Sequence, residues 1–195
     1  MTSETDPIPS TASPRKRSLR RRFLSHFLAD RSGATAVEFA LVGGPFFLML
    51  LGLVEITVSY FGAVQLENGM ETVARQIRTG SVQANNMTAA QFKQLLCTQV
   101  APIIPCDANL YIDVQNFQNF NSVQNLSPIN PDGTLNTAFQ FTPGASCSIV
   151  LARAFYVWHT FTPAIGTLFS NMAGNDRLLQ ASAVFRNEPF GAPCS

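Results

Sequence analysis

Few residues of this chain could do chemistry: four cysteines, two histidines, and two glutamates set in apolar sequence. Cys97, Cys106, Cys147 and Cys194 form neither a C-x-x-C pair nor a zinc pattern with nearby histidines, so their spacing argues against a redox or metal site. Cross-linking is the chemistry left to them. Four cysteines allow three pairings. We favour Cys97–Cys106, which closes a short turn holding Pro102 and Pro105, with Cys147–Cys194, which ties down the C-terminal tail; the other two stay open. His26 and His159 lie far apart, and no nucleophile motif accompanies His159. A lone histidine on an apolar strand is usually structural. Phosphate-loop, dinucleotide and calcium-loop motifs are absent from the sequence. The expectation is a protein that is not an enzyme and holds no cofactor and no metal.

Glu38 and Glu55 direct attention to the element that carries them. Residues 31–61 read RSGATAVEFALVGGPFFLMLLGLVEITVSYF, with sixteen uncharged, mostly apolar residues between the two glutamates. With residues 56–61 added, the run reaches the roughly 20 residues that a bilayer requires. Arg15, Lys16, Arg17, Arg20, Arg21 and Arg22 precede it, with Arg31 closer in. Such charge stays in the cytoplasm, so the chain beyond Phe61 is expected to be exported. A nucleic-acid role for the basic cluster is disfavoured, because no aromatic residues interleave it and an apolar span follows at once. The first fourteen residues, rich in Ser, Thr and Pro, read as a disordered tail within a cytoplasmic leader, residues 1–33. All four cysteines fall on the exported side, where thiols are oxidised.

Composition agrees with a small anchored domain. The 195 residues are 46% hydrophobic but only 13% charged, and the net charge of +1 hides an asymmetry. Residues 1–32 carry seven Lys/Arg against three acids, and the remainder six against nine. The exported part is mildly acidic and has no reason to seek polyanions.

Glu38 opens the span and must reach the interface or find a partner inside the membrane. Glu55, near the outer boundary, reads as a marker of the interface. Gly43, Gly44 and Pro45 read as a tolerated kink. Beyond the apolar run, Leu66, Met70, Val73 and Ile77 recur at helical spacing, Glu71 and Arg75 form an i,i+4 pair, and Gly80 stops the helix. Residues 34–80 are therefore one helix, its lower half in lipid and its upper half packed on a domain formed by residues 81–195.

In that domain, Thr88 and Gln91 form a capping box for a short helix carrying Phe92, Leu95, Leu96 and Val100. Leu110, Ile112 and Val114 alternate with polar residues as in a half-buried strand. Residues 116–146 read as an irregular loop. Residues 147–161, β-branched and aromatic, read as a strand buried on both faces. Arg153 on that strand needs a partner, expected to be a structural ion pair; Phe155, Trp158 and Phe161 read as core or interface aromatics. Leu179, Ala181, Ala183 and Phe185 mark a third strand. The fold class is α+β: a long transmembrane helix continuing into a small exported domain with a short helix and an antiparallel sheet.

The segment Gly33-Ala34-Thr35-Ala36-Val37-Glu38-Phe39 resembles the processing site of type IV-like prepilins, and more closely that of the TadE-like proteins of tight-adherence (Flp) pilus systems. The stretches VQLENGMETVARQIRTG, LARAFYVWHTFTPA and NEPF look like the same family. The resemblance implies that a prepilin peptidase cuts between Gly33 and Ala34, that Glu38 becomes the fifth residue of the mature chain, and that its carboxylate pairs with the α-amino group of a neighbouring subunit. Phe39 stands where major Flp pilins carry tyrosine, and the chain is much longer than they are, which points to a minor subunit. The function implied is that of a pseudopilin or minor pilin in the bacterial inner membrane, with the N-terminus cytoplasmic and the domain periplasmic. Its partners would be the prepilin peptidase, other pilins or pseudopilins, the assembly machinery and the lipid bilayer. Two alternatives are kept: an unprocessed single-pass envelope protein whose periplasmic domain binds a secretion-system partner, and an anchored enzyme.

Overall fold

The computed structural model describes residues 33–101, 103–123, 127–191, 193 and 194. The basic leader, apart from Gly33, lies outside them. The chain divides into two compact units between Phe47 and Leu48. Helix α1, Ala34–Arg78, belongs to both.

In the first unit α1 is unbroken, and its apolar side chains face outward: Phe39 is 72% exposed and Leu41 70%. Among the described residues, α1 is the one helix long and apolar enough to cross a membrane. Pro45 lies inside it and the helix continues past it, so the expected kink leaves its assignment intact.

In the second unit α1 changes character. Gly52, Glu55, Ser59, Gly62, Leu66, Met70, Val73 and Ile77 are buried at intervals of three or four residues, one stripe of a 3.6-residue helix. The stripe is the seam on which the domain is built. The helix ends at Arg78, and Gly80 turns the chain with φ +80. A Cβ at Gly80 would collide with the Phe190 ring, so glycine is required there for both conformation and space. A short helix α2, Ser81–Ala84, was not foreseen. Helix α3, Ala89–Val100, carries the expected capping box: Thr88 Oγ1 accepts from the Gln91 amide at 3.3 Å, and Gln91 Oε1 accepts from the Thr88 amide at 2.8 Å. It buries Phe92, Leu96, Cys97 and Val100. α3 crosses α1 at Gly69, where a Cβ would lie 2.7 Å from Val100 Cγ1.

Strands β1 (Leu110–Phe117), β2 (Ile149–His159) and β3 (Asp176–Arg186) form an antiparallel sheet in that order. A helix α4, Pro163–Phe169, lies between β2 and β3 where none was expected. Thr162-Pro163 is its start signal, an N-cap residue followed by proline at N1.

Central β2 is buried on both faces, as its composition demanded. One face, with Val150, Ala152, Ala154 and Tyr156, joins Leu179 and Ala181 against the seam of α1 and against α3. The small alanines let helix and sheet approach closely. The other face carries Phe155, Val157 and Leu178 beneath Tyr111, Ile129, Leu135, Phe139 and Met172. The long loop thus acts as a lid on the sheet: Phe139 stacks on Phe155 at 5.2 Å. Its return also pairs with β1, the Val114 amide donating to Gln140 O and the Thr142 amide to Val114 O, both at 2.8 Å. Within the loop, the Thr134 hydroxyl and amide donate to Asp132 and hold its carboxyl below the usual carboxylate range.

Arg153 has the partner its position required. Asp113, opposite it on β1, accepts from its Nη2 at 2.6 Å and its Nε at 3.1 Å. Both side chains are buried. Asp113 Oδ1 also accepts from the Gln140 amide at 2.9 Å, and Gln115 Nε2 donates to the same carboxylate. The pair therefore ties β1, β2 and the lid together.

Both favoured disulfides form, Cys97–Cys106 and Cys147–Cys194. The first links α3 to the chain entering β1; the second fastens the tail.

Two stability outcomes follow. Asp113→Ala strands a buried guanidinium and should cost about 3–5 kcal/mol, whereas Asp113→Leu with Arg153→Met should recover most of that loss. Gly69→Val overfills the α1–α3 crossing and should cost about 1–3 kcal/mol. Denaturant unfolding of the detergent-solubilised chain reads both, and an unperturbed midpoint in Asp113→Ala would refute the account of the buried pair.

Candidate functional site

Gly33 immediately precedes α1 and is exposed, with nothing within 4 Å of where a Cβ would stand. Ala34 is the first residue of the helix. Glu38 is exposed one turn further on, and among the described residues it has no hydrogen-bond or salt-bridge partner. Phe39 lies beside it, its ring against the Cα of Gly43. Of the four residues expected to form a processing site, Gly33, Glu38 and Phe39 are exposed, and all four lie within the first turns of α1 or just before it.

Glu55 is a different case. It was read as a marker of the interface, and it is instead buried, at 4% exposure, on the seam. Its carboxylate accepts from the backbone amides of Phe161 at 2.8 Å and Thr162 at 3.0 Å. Those amides sit at the start of α4, where the Thr162 side chain makes no cap bond and Pro163 has no N–H to offer. A carboxylate from α1 therefore accepts the N-cap amide, as the N3 side chain of a capping box would, and the amide before it, and its charge also suits the positive end of the helix. Ile56, Ser59, Trp158, Thr160, Gly166, Phe169 and Arg177 surround it. The sequence contained the signal: Glu55 lies seven residues before Gly62 and eleven before Leu66, so extending the stripe downward by its own period reaches it.

Another titratable pair lies at one end of the sheet. His159 Nδ1 and Asp176 Oδ1 lie 2.7 Å apart at the end of the β2–β3 pair that residues 160–175 connect, with the histidine side chain 64% exposed. Histidine thus fastens two strand ends. Among the described residues, no group of three or more His, Cys, Asp or Glu could hold a metal ion. An open groove runs along the outer side of the domain between Glu71, Arg75 and Arg78 of α1 and Ala183, Val184 and Phe185 of β3. Above it Arg78 pairs with Glu188 at 3.2 Å, and the Glu188 amide donates to Arg78 O. The backbone of β3 is open on that edge. Leu178 donates its amide outward to Asn171, so alternation puts the peptide groups of Gln180, Ser182 and Val184 outward too, without partners among the described residues.

Gly33, Ala34, Glu38 and Phe39, expected from the sequence to form a processing site, share one stretch with Glu55 and the lower seam, and that stretch matches a known family. Residues 33–75 match the model of a family described as TadE-like protein. The match begins at the glycine expected to precede a cleavage site and ends near the top of α1. The TadE-like segment covers the seam through Val73 but not the sheet; the likenesses noted within residues 151–164 and 187–190 lie outside it. No curated protein and no solved structure matches the chain.

Loss of the Glu55 anchor is expected to be local. In Glu55→Ala the amides of Phe161 and Thr162 should lose hydrogen-exchange protection, at a cost of about 1–3 kcal/mol to local opening, while α3 and central β2 keep theirs. Unchanged protection at both amides would show that the carboxylate does not hold the loop.

Proposed function

We propose that the chain is a minor pilin or pseudopilin of a tight-adherence pilus machinery. It is inserted in the bacterial inner membrane with its leader in the cytoplasm and its disulfide-bonded domain in the periplasm. A prepilin peptidase cuts between Gly33 and Ala34. The observation that carries this reading is the exposed, apolar lower half of α1, headed by Gly33, Ala34 and Glu38 within the TadE-like match. An uncovered apolar helix of this length is costly in water and suited to lipid or to a bundle of like helices. Cleavage would free an α-amino group four residues from the carboxylate of Glu38. In a stack of such helices that amine can neutralise the Glu38 of a neighbour, and the pairing sets the axial register. Other pilins or pseudopilins and the assembly machinery are then its partners.

The second reading, an unprocessed single-pass protein whose domain binds a secretion-system partner, is favoured by the open β3 edge. Peptide groups of Gln180, Ser182 and Val184 are available there for strand addition.

Intact mass of the membrane-extracted native protein separates the two: the first requires loss of residues 1–33 and an N-terminal Ala34, the second a full-length chain. Glu38→Ala should abolish piliation while insertion and the stability of the domain stay at wild-type values. Normal pili in that variant would rule out register pairing by Glu38.

A further inference from the structure

The lower end of the domain presents an apolar surface that no described residue covers. Leu168 is 78% exposed, Phe161 56% and Phe169 40%. The segment that carries them is firmly held. Glu55 grips the amides of Phe161 and Thr162. Gly166 packs so closely on Thr160 that a Cβ would strike its hydroxyl, and that hydroxyl in turn donates to Asn175 O at 2.6 Å. The exposure of Leu168 and Phe169 therefore belongs to a built element.

Its chemistry suits one occupant. α4 reads PAIGTLF, without a charged residue, and is flanked by Thr160, Thr162, Ser170 and Asn171. The amides of Phe161 and the N-cap Thr162 are taken up by Glu55 and the N1 residue is proline, which has no N–H, so three positions at this end of the helix bring no unpaired donor to a medium that cannot accept one. The anchor ties it to the place on α1 where the uncharged run gives way. There Val54, Val58, Tyr60 and Phe61 are themselves exposed, and the apolar surface of α1 carries on in α4. Tyrosine and apolar residues at that level are what a lipid–water interface selects.

We propose that α4 and the loop before it lie in the interface of the outer leaflet, with Phe161, Leu168 and Phe169 among the lipids, so that the domain stands on the membrane through α4 as well as α1. The inference rests on the reading of α1 as a membrane span. Glu55 is then a positioning residue: it sets the depth of α4.

Quenching by brominated lipids tests this in the full chain reconstituted into phosphatidylcholine–phosphatidylglycerol vesicles. The single native tryptophan, Trp158, is replaced by phenylalanine, and tryptophan is introduced as Leu168→Trp, Leu50→Trp or Ser182→Trp. Circular dichroism confirms that each variant folds. If the Trp158→Phe background does not fold, a benzophenone amino acid at position 168 of the otherwise native chain gives the same decision through cross-linking to lipid. Leu168→Trp should lose emission to shallow brominated lipids and shift to the blue, and Leu50→Trp should be quenched as well, while Ser182→Trp stays bright. If Leu50→Trp is quenched and Leu168→Trp behaves like Ser182→Trp, the membrane span stands and the interfacial role of α4 is wrong, leaving its surface to solvent or to a protein. If neither is quenched, the span and the proposal fall together.

Discussion

One stripe on one helix carries the domain. From Glu55 to Ile77 a buried stripe of α1 recurs every three or four residues, and the sheet, α3 and α4 are all laid against that line. A helix whose apolar side chains are exposed below and packed on a domain above cannot bury the same face throughout. In its upper half it resolves the conflict with small side chains: Gly62 lets Trp158 and Leu179 approach, and Gly69 lets Val100 and Leu96 approach. Packing of this kind depends on close contact of backbones rather than on the size of interlocking side chains. The Ala152–Ala154 face of β2 meets it in the same way.

The second constraint is that a small domain must cover both faces of a three-stranded sheet. α1 and α3 cover one. The other is covered by a segment with little regular structure, and such a segment needs specific ties because its own ladder is too short to hold it. Asp113 supplies them: one carboxylate holds Arg153 of the central strand and the amide of Gln140 in the lid. Burying this charge is costly, and the return is a lid fixed to the sheet on which Phe139 can stack.

These features differ in how far the sequence revealed them. The helix end at Gly80, the Thr88–Gln91 capping box, the alternation in β1 and β3 and the doubly buried β2 are local patterns, and each lies within two or three residues of where it was expected. The disulfide pairing followed from chain-closure arguments. α4 was missed because Gly166 weakens its helical signature, and that glycine is there to pass Thr160, a tertiary requirement that local propensity does not contain. The partner of Arg153 could be demanded but not named, since Asp113 lies forty residues away and only the strand register brings them opposite. Glu55 was legible in principle. Its reading as a boundary marker came from treating the apolar run and the amphipathic stripe as separate signals, when the stripe begins inside the run.

Glu55 and Glu38 then separate on energetic grounds. Both interrupt apolar helical sequence, and an ionised carboxylate in hydrocarbon costs roughly 2.5–3.5 kcal/mol or more. Glu55 has its compensation within the fold, in two amide donors, so the folded monomer leaves it nothing further to seek. Glu38 is exposed, with no hydrogen-bond partner among the described residues. If the lower half of α1 lies in lipid or among like helices, its compensation has to come from the interface or from another chain. A cleaved neighbour would offer a free ammonium group, and an uncleaved one would not. On this reading, processing and assembly are linked through one carboxylate that has no partner among the described residues.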